Sequence, residues 1–443
     1  MASHDRGTAF GLLTAAFLLA PAVAMAQPVP SGSSPGKYSF AIVHSFTGPP
    51  DGSDPAWGVT MDAAGELYGA TILGGDAGCS VIPYTVGCGV VFEVDTSGGE
   101  TVLHTFTSAK ARRDGVYPFV SPLTLANPSL TGIRFYGTTY VGGRAAHCYR
   151  GNSYGCGTIY ELGGAGRETV LYDFAGNLDG KGPWGNLVRD PSGKLYGATY
   201  VGGANNFGTI FAFDANGAES VLHTFSGGND GGNPMSGVIR DDAGNLYGTT
   251  HCGGVAPCPN GFGTVFKVDT GGTFTTLYSF TGKTDGGNPE GGVIADTAGN
   301  LFGATAGGGD GACSGENVSG CGVVFELDSA GNETVLHTFT GSPDGNSPTA
   351  NVVMDNRGNL YGTTLFGGDS ACSDGNGLGC GMAFEVTGSG TEKVLHVFTA
   401  GAADGSRPFG ALVRDEAGNL YGTTEAGGSA GNGTVFKLTP PHR

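Results

Sequence analysis

Aspartate is the residue whose type and spacing could do chemistry in this sequence, because an Asp-Gly-x-x-Pro turn occurs seven times. The aspartates are Asp51, Asp114, Asp179, Asp230, Asp285, Asp344 and Asp404, and the prolines are Pro55, Pro118, Pro183, Pro234, Pro289, Pro348 and Pro408. A ring of carboxylates could bind cations. Alternatively, each Asp accepts hydrogen bonds from turn amides, Gly takes a positive φ and Pro fixes the start of a strand. A residue present in every copy is typical of the scaffold, so we expect turn-building.

A second aspartate series precedes Gly-Asn or a near variant and receives the same interpretation. Its members are Asp62, Asp190, Asp241, Asp296, Asp355 and Asp415. These are not calcium loops, since the alternating Asp ladder and the closing Glu are absent. We therefore expect no metal site and no cofactor.

The histidines repeat in the same way. His44, His104, His223, His337 and His396 occupy one position of the repeat, where Tyr172 and Tyr278 stand in the other units. Tyr can replace His as a packed hydrogen-bonding side chain but not as a general base near neutral pH. The nucleophile-elbow, zinc-protease and phosphate-loop motifs are absent as well. These patterns therefore identify no catalytic residue.

Two groups of residues differ between the units and are the better ligand-binding candidates. Close after the turn prolines stand Trp57, Phe119, Trp184, Met235, Glu290, Thr349 and Phe409, and both tryptophans of the protein are among them. The aromatic members could stack on sugar rings, or they could pack adjacent units together.

The second variable group is basic in a strongly acidic chain. It comprises Lys110, Arg112, Arg113, Arg134, Arg144 and Arg150, with His147, Tyr149 and Tyr154 nearby. Ordinary surface charge would explain it, and so would a site for a carboxylate or sulfate of a polysaccharide. A Tyr or His beside a neutralised carboxylate could also support lyase chemistry.

The elements that position these residues follow from the repeat itself. Its Leu-Tyr-Gly motif, or a variant of it, recurs at Tyr68, Tyr136, Tyr196, Tyr247, Phe302, Tyr361 and Tyr421. Each unit contains four short segments rich in Val, Thr, Tyr and Phe, bounded by Gly, Asp and Asn, which is typical of strands. The sequence therefore predicts an all-β, seven-bladed β-propeller with four-stranded antiparallel blades.

The chain ends predict how the ring closes. Residues 38–46 match the fourth strand of a unit that has no beginning, and the last unit stops one strand short. We expect the N-terminal strand to complete the last blade within one domain, residues 38–440. The Asp-Gly-x-x-Pro turns and the cysteine loops should share one face, where long varied loops favour function.

Ten cysteines fall in five local pairs, each around one Gly-rich loop. The pairs are Cys79/Cys88, Cys148/Cys156, Cys252/Cys258, Cys313/Cys321 and Cys372/Cys380. Five short disulfides are the simplest connectivity in an oxidising compartment, and we expect them to stiffen the loops rather than hold the ring together. Zinc binding is disfavoured because the Cys-x2-Cys spacing and a consistent His partner are absent.

The N-terminus indicates export. An apolar stretch after Arg6 ends in Ala24-Met25-Ala26, which predicts a signal peptide over residues 1–26, cleavage near Ala26 and a short linker over residues 27–37. No later segment is long and apolar enough to span a bilayer. The net charge of −18 argues against nucleic acid as a partner. We expect a secreted monomer, extracellular or periplasmic.

The order of motifs in the repeat is also specific. A VLHTF-type strand, the Asp-Gly-x-x-Pro turn, GNLYGTT and GTVFE-type segments follow one another across residues 38–438. This pattern resembles the Gloeo/Verruco (GloVer) tandem repeat of choice-of-anchor secreted bacterial proteins. The resemblance implies a secreted or surface-displayed propeller-like protein and brings no catalytic residues. Since no C-terminal anchor is evident, free secretion is an alternative to surface attachment.

Together these observations favour a secreted binding or interaction module for an extracellular glycan or a surface protein. Its candidate ligand-binding residues are Trp57, Lys110, Arg112, Arg113, Phe119, Arg144, His147, Arg150, Trp184 and Phe409. The alternative is a carbohydrate-active enzyme, a polysaccharide lyase or glycoside hydrolase, that acts on an acidic glycan.

Overall fold

The structure is a computed structural model that describes residues 37–79, 86–107, 115–118, 123–126, 134–144, 148, 155–163, 166–309, 313, 320–372 and 378–441. In these ranges the chain forms seven antiparallel sheets of four strands each and one small two-stranded sheet, with no helix. This arrangement confirms the predicted seven-bladed β-propeller. Accordingly, the described chain contains no helix with the length and apolar character that crossing a membrane requires.

Each blade runs from an inner first strand to an outer fourth strand, and the blades are numbered 1 to 7 by their first strands. The first strands are Val59–Met61, Thr124–Leu125, Lys181–Arg189, Ile239–Arg240, Val293–Ala295, Val353–Met354 and Val413–Arg414. The second strands are Leu67–Thr71, Arg134–Thr139, Leu195–Val201, Leu246–Thr250, Leu301–Thr305, Leu360–Thr364 and Leu420–Thr424. The third strands are Val90–Val94, Thr158–Gly163, Thr209–Phe213, Thr264–Val268, Val323–Leu327, Met382–Val386 and Thr434–Thr439. The fourth strands are Glu100–Thr105, Glu168–Asp173, Glu219–Thr224, Phe274–Ser279, Glu333–Thr338, Glu392–Val397 and, for blade 7, Ser39–Ser45. The small sheet consists of Gly405–Ser406 and Ala426–Gly427.

The N-terminal strand closes the ring as predicted. Ser39–Ser45 pairs antiparallel with Thr434–Thr439, so the first described strand becomes the outer strand of blade 7. Phe40 of this strand also stacks on His396 of blade 6, with ring centroids 4.0 Å apart. Closure therefore depends on non-covalent contacts between distant parts of the chain.

The core lies between neighbouring blades, because the second and third strands are buried on both faces. The glycine of the Leu-Tyr-Gly motif follows from this packing. Gly248 pairs with Phe266, and a Cβ at Gly248 would lie only 2.7 Å from Phe266 Cζ. Blade 1 repeats the contact between Gly69 and Phe92 at 2.6 Å. A larger side chain would displace a buried aromatic ring, so the motif requires glycine.

Glycines also bring the inner strands together at the centre. Gly58 of blade 1 bridges Ala411 of blade 7, and a Cβ at Gly410 would lie 2.1 Å from the Gly58 nitrogen. Blades 3 and 4 approach equally closely, since a Cβ at Gly185 would lie 2.0 Å from the Gly237 nitrogen. The backbones of adjacent inner strands therefore touch and leave little open space along the axis.

The first aspartate series builds the turns between blades. Asp230 accepts a hydrogen bond from the Ser226 backbone amide at 2.9 Å and lies 3.1 Å from His223 Nε2. In a unit where Tyr replaces His, the Tyr172 hydroxyl donates to Asp179 at 3.0 Å. These contacts agree with turn-building and with a structural role for the repeated histidines.

The second aspartate series has the same role on the opposite face. Asp241 accepts hydrogen bonds from the Asn245 backbone amide at 2.7 Å and from the Tyr247 hydroxyl at 3.1 Å. The tyrosine of the Leu-Tyr-Gly motif therefore helps to hold the turn that precedes its strand.

All five predicted cysteine pairs are disulfides, and each lies within one unit. The bridges are Cys79–Cys88, Cys148–Cys156, Cys252–Cys258, Cys313–Cys321 and Cys372–Cys380. They join residues six to nine positions apart, and no cysteine is left free. The predicted connectivity is confirmed.

Several cysteines also take part in the core, in addition to the loop stiffening that the sequence predicts. Cys79, Cys88, Cys156, Cys321 and Cys380 are 0% exposed. Cys156 packs in a core cluster with Phe174, and Cys321 packs in another with Phe339. Each lies two positions before a third strand that is buried between blades, so its side chain enters the core with that strand. These two cysteines are therefore part of the packed scaffold and are not accessible to a ligand.

The bridges also contribute to contacts between blades. In four of them the carbonyl oxygen of the second cysteine accepts a hydrogen bond from a backbone amide of the next Asp-Gly-x-x-Pro turn. These contacts join Cys88 to Tyr117 at 3.1 Å, Cys156 to Gly182 at 2.7 Å, Cys321 to Ser347 at 2.9 Å and Cys380 to Arg407 at 2.9 Å. Each of these disulfides therefore holds in place a carbonyl group that accepts a hydrogen bond from the following blade.

Candidate functional site

The face that contains the disulfide loops also contains the Asp-Gly-x-x-Pro turns, as predicted. In blade 4, Gly232 of the turn pairs with Cys252, and the Cys258 amide donates to Gly227 at 2.8 Å. The turn and the loop are therefore one structural unit, at the end of the axis where the inner strands begin.

The residue before each turn proline holds this end of the ring in place through an unusual backbone conformation. Its φ lies between 54° and 61° in all seven blades, at Asp54, Tyr117, Gly182, Asn233, Asn288, Ser347 and Arg407. Residues other than glycine rarely adopt these backbone angles. The conformation allows the Asn233 amide to donate to Phe207 at 2.8 Å while its carbonyl accepts from His251 at 3.2 Å. Two hydrogen bonds per turn offset the strain and position the residues that follow the proline.

Five aromatic side chains meet at this end of the axis and form one cluster. Trp57 packs edge-on against Trp184 and Phe409, with centroid distances of 5.4 and 4.7 Å. Trp184 in turn contacts Tyr140 and Tyr200, each at 5.3 Å. These residues belong to blades 7, 1, 2 and 3, and all five are half-buried. The aromatic cluster therefore covers one side of the opening and keeps a partly exposed surface.

The other side of the opening is more polar. Met235, Glu290 and Thr349 follow the turn prolines of blades 4, 5 and 6 and line a cavity of about 40 Å³ that Trp57 and Phe409 close from the aromatic side. This volume suits one or two water molecules rather than a sugar ring. We call the aromatic cluster and these three residues together the channel mouth.

Glu290 is a titratable residue of the channel mouth, and its pKa is strongly raised. Burial disfavours its charged form and raises the pKa of its carboxyl to about 7. The pKa of Tyr200 is raised by burial, then by the charges of Tyr140 and Glu290. Glu290 therefore lies close enough to the aromatic cluster to interact with it, and it changes protonation state near neutral pH.

The described rim of the channel mouth has an excess of carboxyl groups. Arg407 lies 3.4 Å from Glu425, and the same guanidinium partly offsets the burial that raises the pKa of Asp54 to about 6. Glu290 adds a third carboxyl group to the channel mouth, so the described residues supply three carboxyl groups and one cation here. An anionic ligand is therefore disfavoured at this position.

The structure brings together three of the candidate ligand-binding residues, Trp57, Trp184 and Phe409. Arg144 is separate: its side chain is 78% exposed and its Nε lies 3.7 Å from Asp173 Oδ2. Lys110, Arg112, Arg113, Phe119, His147 and Arg150 lie outside the described residues.

Sequence reasoning missed Tyr140 and Tyr200 as site residues. Each directly follows the second-strand threonine, where blade 1 has Ile72 and blade 6 has Leu365. Comparison of this position across the seven units could have identified both tyrosines. Trp57 also differs from the other aromatic residues, because it stands two positions after its proline rather than one.

A larger cleft of about 800 Å³ lies on the opposite face, between blades 6 and 7. It is lined mainly by residues of the second aspartate turns, such as Asp355 and Asn419, which recur as scaffold in other blades. Two of its charged groups pair with each other, since Lys393 lies 3.9 Å from Glu385, and Lys393 also stacks over Tyr38. The channel mouth, whose residues differ from blade to blade, is the better candidate site.

The fold is similar to that of virginiamycin B lyase from Staphylococcus aureus, with a TM-score of 0.50 and 12% identity over 91% of this chain and 99% of that chain. It is also similar to the extracellular domain of a one-component system from B. thetaiotaomicron, with a TM-score of 0.51 and 10% identity. That likeness covers 90% of this chain and 39% of the other. Identities this low show a shared fold and say nothing about activity. No curated protein sequence matches the chain.

The repeat itself is matched at the level of the family. The Gloeobacter/Verrucomicrobia repeat matches residues 146–371 and 310–443, well over half of the chain, and confirms the resemblance noted in the motifs. The remaining N-terminal units contain the same turns, strands and Leu-Tyr-Gly motif. The chain therefore belongs to the Gloeobacter/Verrucomicrobia repeat family.

Proposed function

We propose that this propeller is an extracellular binding module and that its channel mouth binds a glycan. The observation that supports this most directly is the aromatic cluster that joins Trp57 and Phe409, of the neighbouring blades 1 and 7, to Trp184 of blade 3. These residues are half-buried, although a purely structural cluster would be expected to bury them fully. Five disulfides agree with a place of action outside the cytoplasm.

The two sides of the channel mouth match the two surfaces of a sugar ring. The apolar face of a pyranose can stack on the exposed part of the aromatic cluster, and its hydroxyls can bond to Glu290 and Thr349. The cavity between the two sides is only about 40 Å³. The sugar therefore rests on the rim rather than inside the channel.

The charge of the site narrows the ligand class. Asp54 and Glu425 lie near Arg407, and Glu290 adds a third carboxyl group at the channel mouth, so the rim favours neutral or amino sugars over uronates or sulfated sugars. This differs from the acidic glycan suggested by the basic residues around Arg112 and Arg150, which lie outside the described chain.

Tryptophan fluorescence offers a direct test, since the protein has two tryptophans and both lie in the site. After a glycan array identifies a ligand, titration of the parent protein should shift the emission. Trp184→Ala should weaken binding about ten-fold, which corresponds to the ~1.4 kcal/mol of one aromatic contact. Leu178→Ala, at an apolar side chain that is 70% exposed, is the matched control.

Two results would overturn the proposal. One is unchanged affinity in both Trp57→Ala and Trp184→Ala. The other is a preference for uronates that Arg112→Ala, Arg113→Ala and Arg150→Ala together abolish, which would place the site on the basic segment instead.

A second candidate function is a carbohydrate-active enzyme, and Glu290 is the observation that favours it. A carboxyl with a pKa of about 7 can donate a proton to a leaving group near neutral pH. In that case Glu290→Gln should abolish release of reducing or unsaturated sugar ends while it leaves binding within about two-fold. Binding without turnover in the parent protein would leave the binding module as the function.

A further inference from the structure

His44, Asp51 and Glu100 bring three metal-ligating atoms together at the seam where the ring closes. His44 lies in the N-terminal strand of blade 7, Asp51 in the turn into blade 1, and Glu100 at the start of the outer strand of blade 1. Their ligand atoms all lie within 4.8 Å of one another. We propose that these three residues form a Zn²⁺ site that links blade 7 to blade 1.

The three donor atoms are shielded and free to bind a cation. His44 Nε2, Asp51 Oδ1 and Glu100 Oε1 are each inaccessible to solvent and form no hydrogen bond. The His44 Nε2 to Asp51 Oδ1 distance is 3.5 Å, and the two side chains are 17% and 14% exposed. Shielded polar atoms without hydrogen bonds are costly, and two carboxylates this close repel each other. One divalent cation would satisfy all three atoms and neutralise the repulsion.

The equivalent position between blades 5 and 6 has the same residue types in a different arrangement. There His337 Nε2 lies 3.1 Å from Asp344 Oδ1, within hydrogen-bonding distance, so both atoms already have a partner. Only Glu392 Oε1 is shielded without one. The third set of this composition, with His104 and Glu168, includes an aspartate outside the described residues.

Two further positions have lost the glutamate altogether. Phe274 replaces it beside His223, and Phe40 replaces it beside His396, and the rings stack at 3.8 and 4.0 Å. The imidazole is thus covered by an aromatic ring wherever the third ligand is missing. At the His44 site all three donor atoms lack a hydrogen bond, whereas at the His337 site only the glutamate oxygen does.

The ligand set determines the ion. One imidazole nitrogen and two carboxylate oxygens are usual ligands of Zn²⁺, and a water molecule can complete a tetrahedron. Bonds of about 2.0–2.2 Å place tetrahedral ligands roughly 3.3–3.6 Å apart. Donors within 4.8 Å reach that geometry through small rotations of the side chains, with Glu100 as the most adaptable. Ca²⁺ needs six or more oxygen ligands and does not fit.

The sequence alone predicts no metal site, because these residues look like three ordinary members of the repeat. His44 and Glu100 lie on opposite sides of the seam, and closure of the ring brings them together. A bound ion would link the strand that closes the ring to the first blade. The metal would then strengthen the closure of the ring between blades 7 and 1, which otherwise depends on non-covalent contacts.

Calorimetric titration of the metal-free full chain with ZnCl₂ tests the proposal, with protein purified without a histidine tag. His44→Ala and Glu100→Gln should each weaken Zn²⁺ binding at least ten-fold. His337→Ala is the matched control, since it removes a hydrogen-bonded histidine from the equivalent position, and it should leave the affinity unchanged. Co²⁺ should give visible absorption bands in the parent that are lost in Glu100→Gln, and CaCl₂ should not compete.

Equal weakening in His337→Ala would show non-specific histidine binding and overturn the proposal. So would unchanged Zn²⁺ affinity in Glu100→Gln, a nearly isosteric change that should fold even if His44→Ala does not. Both readouts are independent of glycan binding, so failure of one proposal does not affect the other.

Discussion

Glu219 provides a specific pH dependence that can be tested. Burial of its carboxyl, followed by the charge of Asp179, raises its pKa from 4.5 to about 7. Its Oε1 atom is shielded and forms no hydrogen bond. The folded protein therefore favours the protonated carboxyl, whereas the unfolded chain ionises it at lower pH.

The sign and the size of the effect follow from linkage. Because the pKa is higher in the folded state, the stabilising contribution is complete below pH 4.5 and is lost as the pH rises through about 7. A pKa difference of about 2.5 corresponds to ~3.4 kcal/mol, but solvent screening of this partly exposed side chain reduces it to about 1 kcal/mol. With an unfolding entropy of about 2.1 cal/mol/K per residue, 1 kcal/mol changes the Tm by roughly 1 °C in a chain of this length.

Glu333 doubles the expected signal, since burial and Asp285 raise its pKa to about 7 as well. Differential scanning calorimetry of Glu219→Gln/Glu333→Gln, with a chelator present, should give a Tm about 2 °C above the parent at pH 8 and equal to it at pH 4. Glutamine keeps the shape of the protonated acid and cannot ionise. Glu416→Gln, which removes the same charge from an exposed turn, should show no such pH-dependent difference. A double variant whose Tm falls with pH as steeply as that of the parent would refute the reasoning.

Ring closure and central packing give two further predictions. Deletion of residues 1–45 should cause aggregation that size-exclusion chromatography detects, because it exposes the edge of the third strand of blade 7; an elution profile unchanged from that of the parent would contradict the closure mechanism. Gly410→Ala should lower the free energy of unfolding by about 2 kcal/mol in urea titrations, because its Cβ would lie 2.1 Å from the Gly58 nitrogen. Gly401→Ala, whose nearest neighbouring atom would be 3.8 Å away, is the control, and equal midpoints for the two variants would contradict the argument.

Much of the architecture could be predicted from the sequence because its causes are local and repeated. Turn residues, strand residues and the Leu-Tyr-Gly motif or its variants recur seven times, because each copy has the same short-range packing. One example is Gly248, where a side chain would collide with Phe266. The cysteine pairs were predictable for the same reason, since each bridge joins residues six to nine positions apart. The full burial of Cys156 and Cys321 was not, because it depends on the neighbouring blade. Closure by the N-terminal strand followed from simple completion of the repeat.

Only the tertiary structure decided which variable residues share a site. Trp57 and Trp184 are distant in sequence and touch because the ring brings the inner ends of all blades to one axis. Glu290 is one of 39 acidic residues, and burial at the channel mouth is what distinguishes it. The donor atoms of His44 and Glu100 likewise meet only across the closed seam. Repeated positions thus determine the scaffold through local geometry, whereas burial and proximity at the axis and the seam depend on the closed ring.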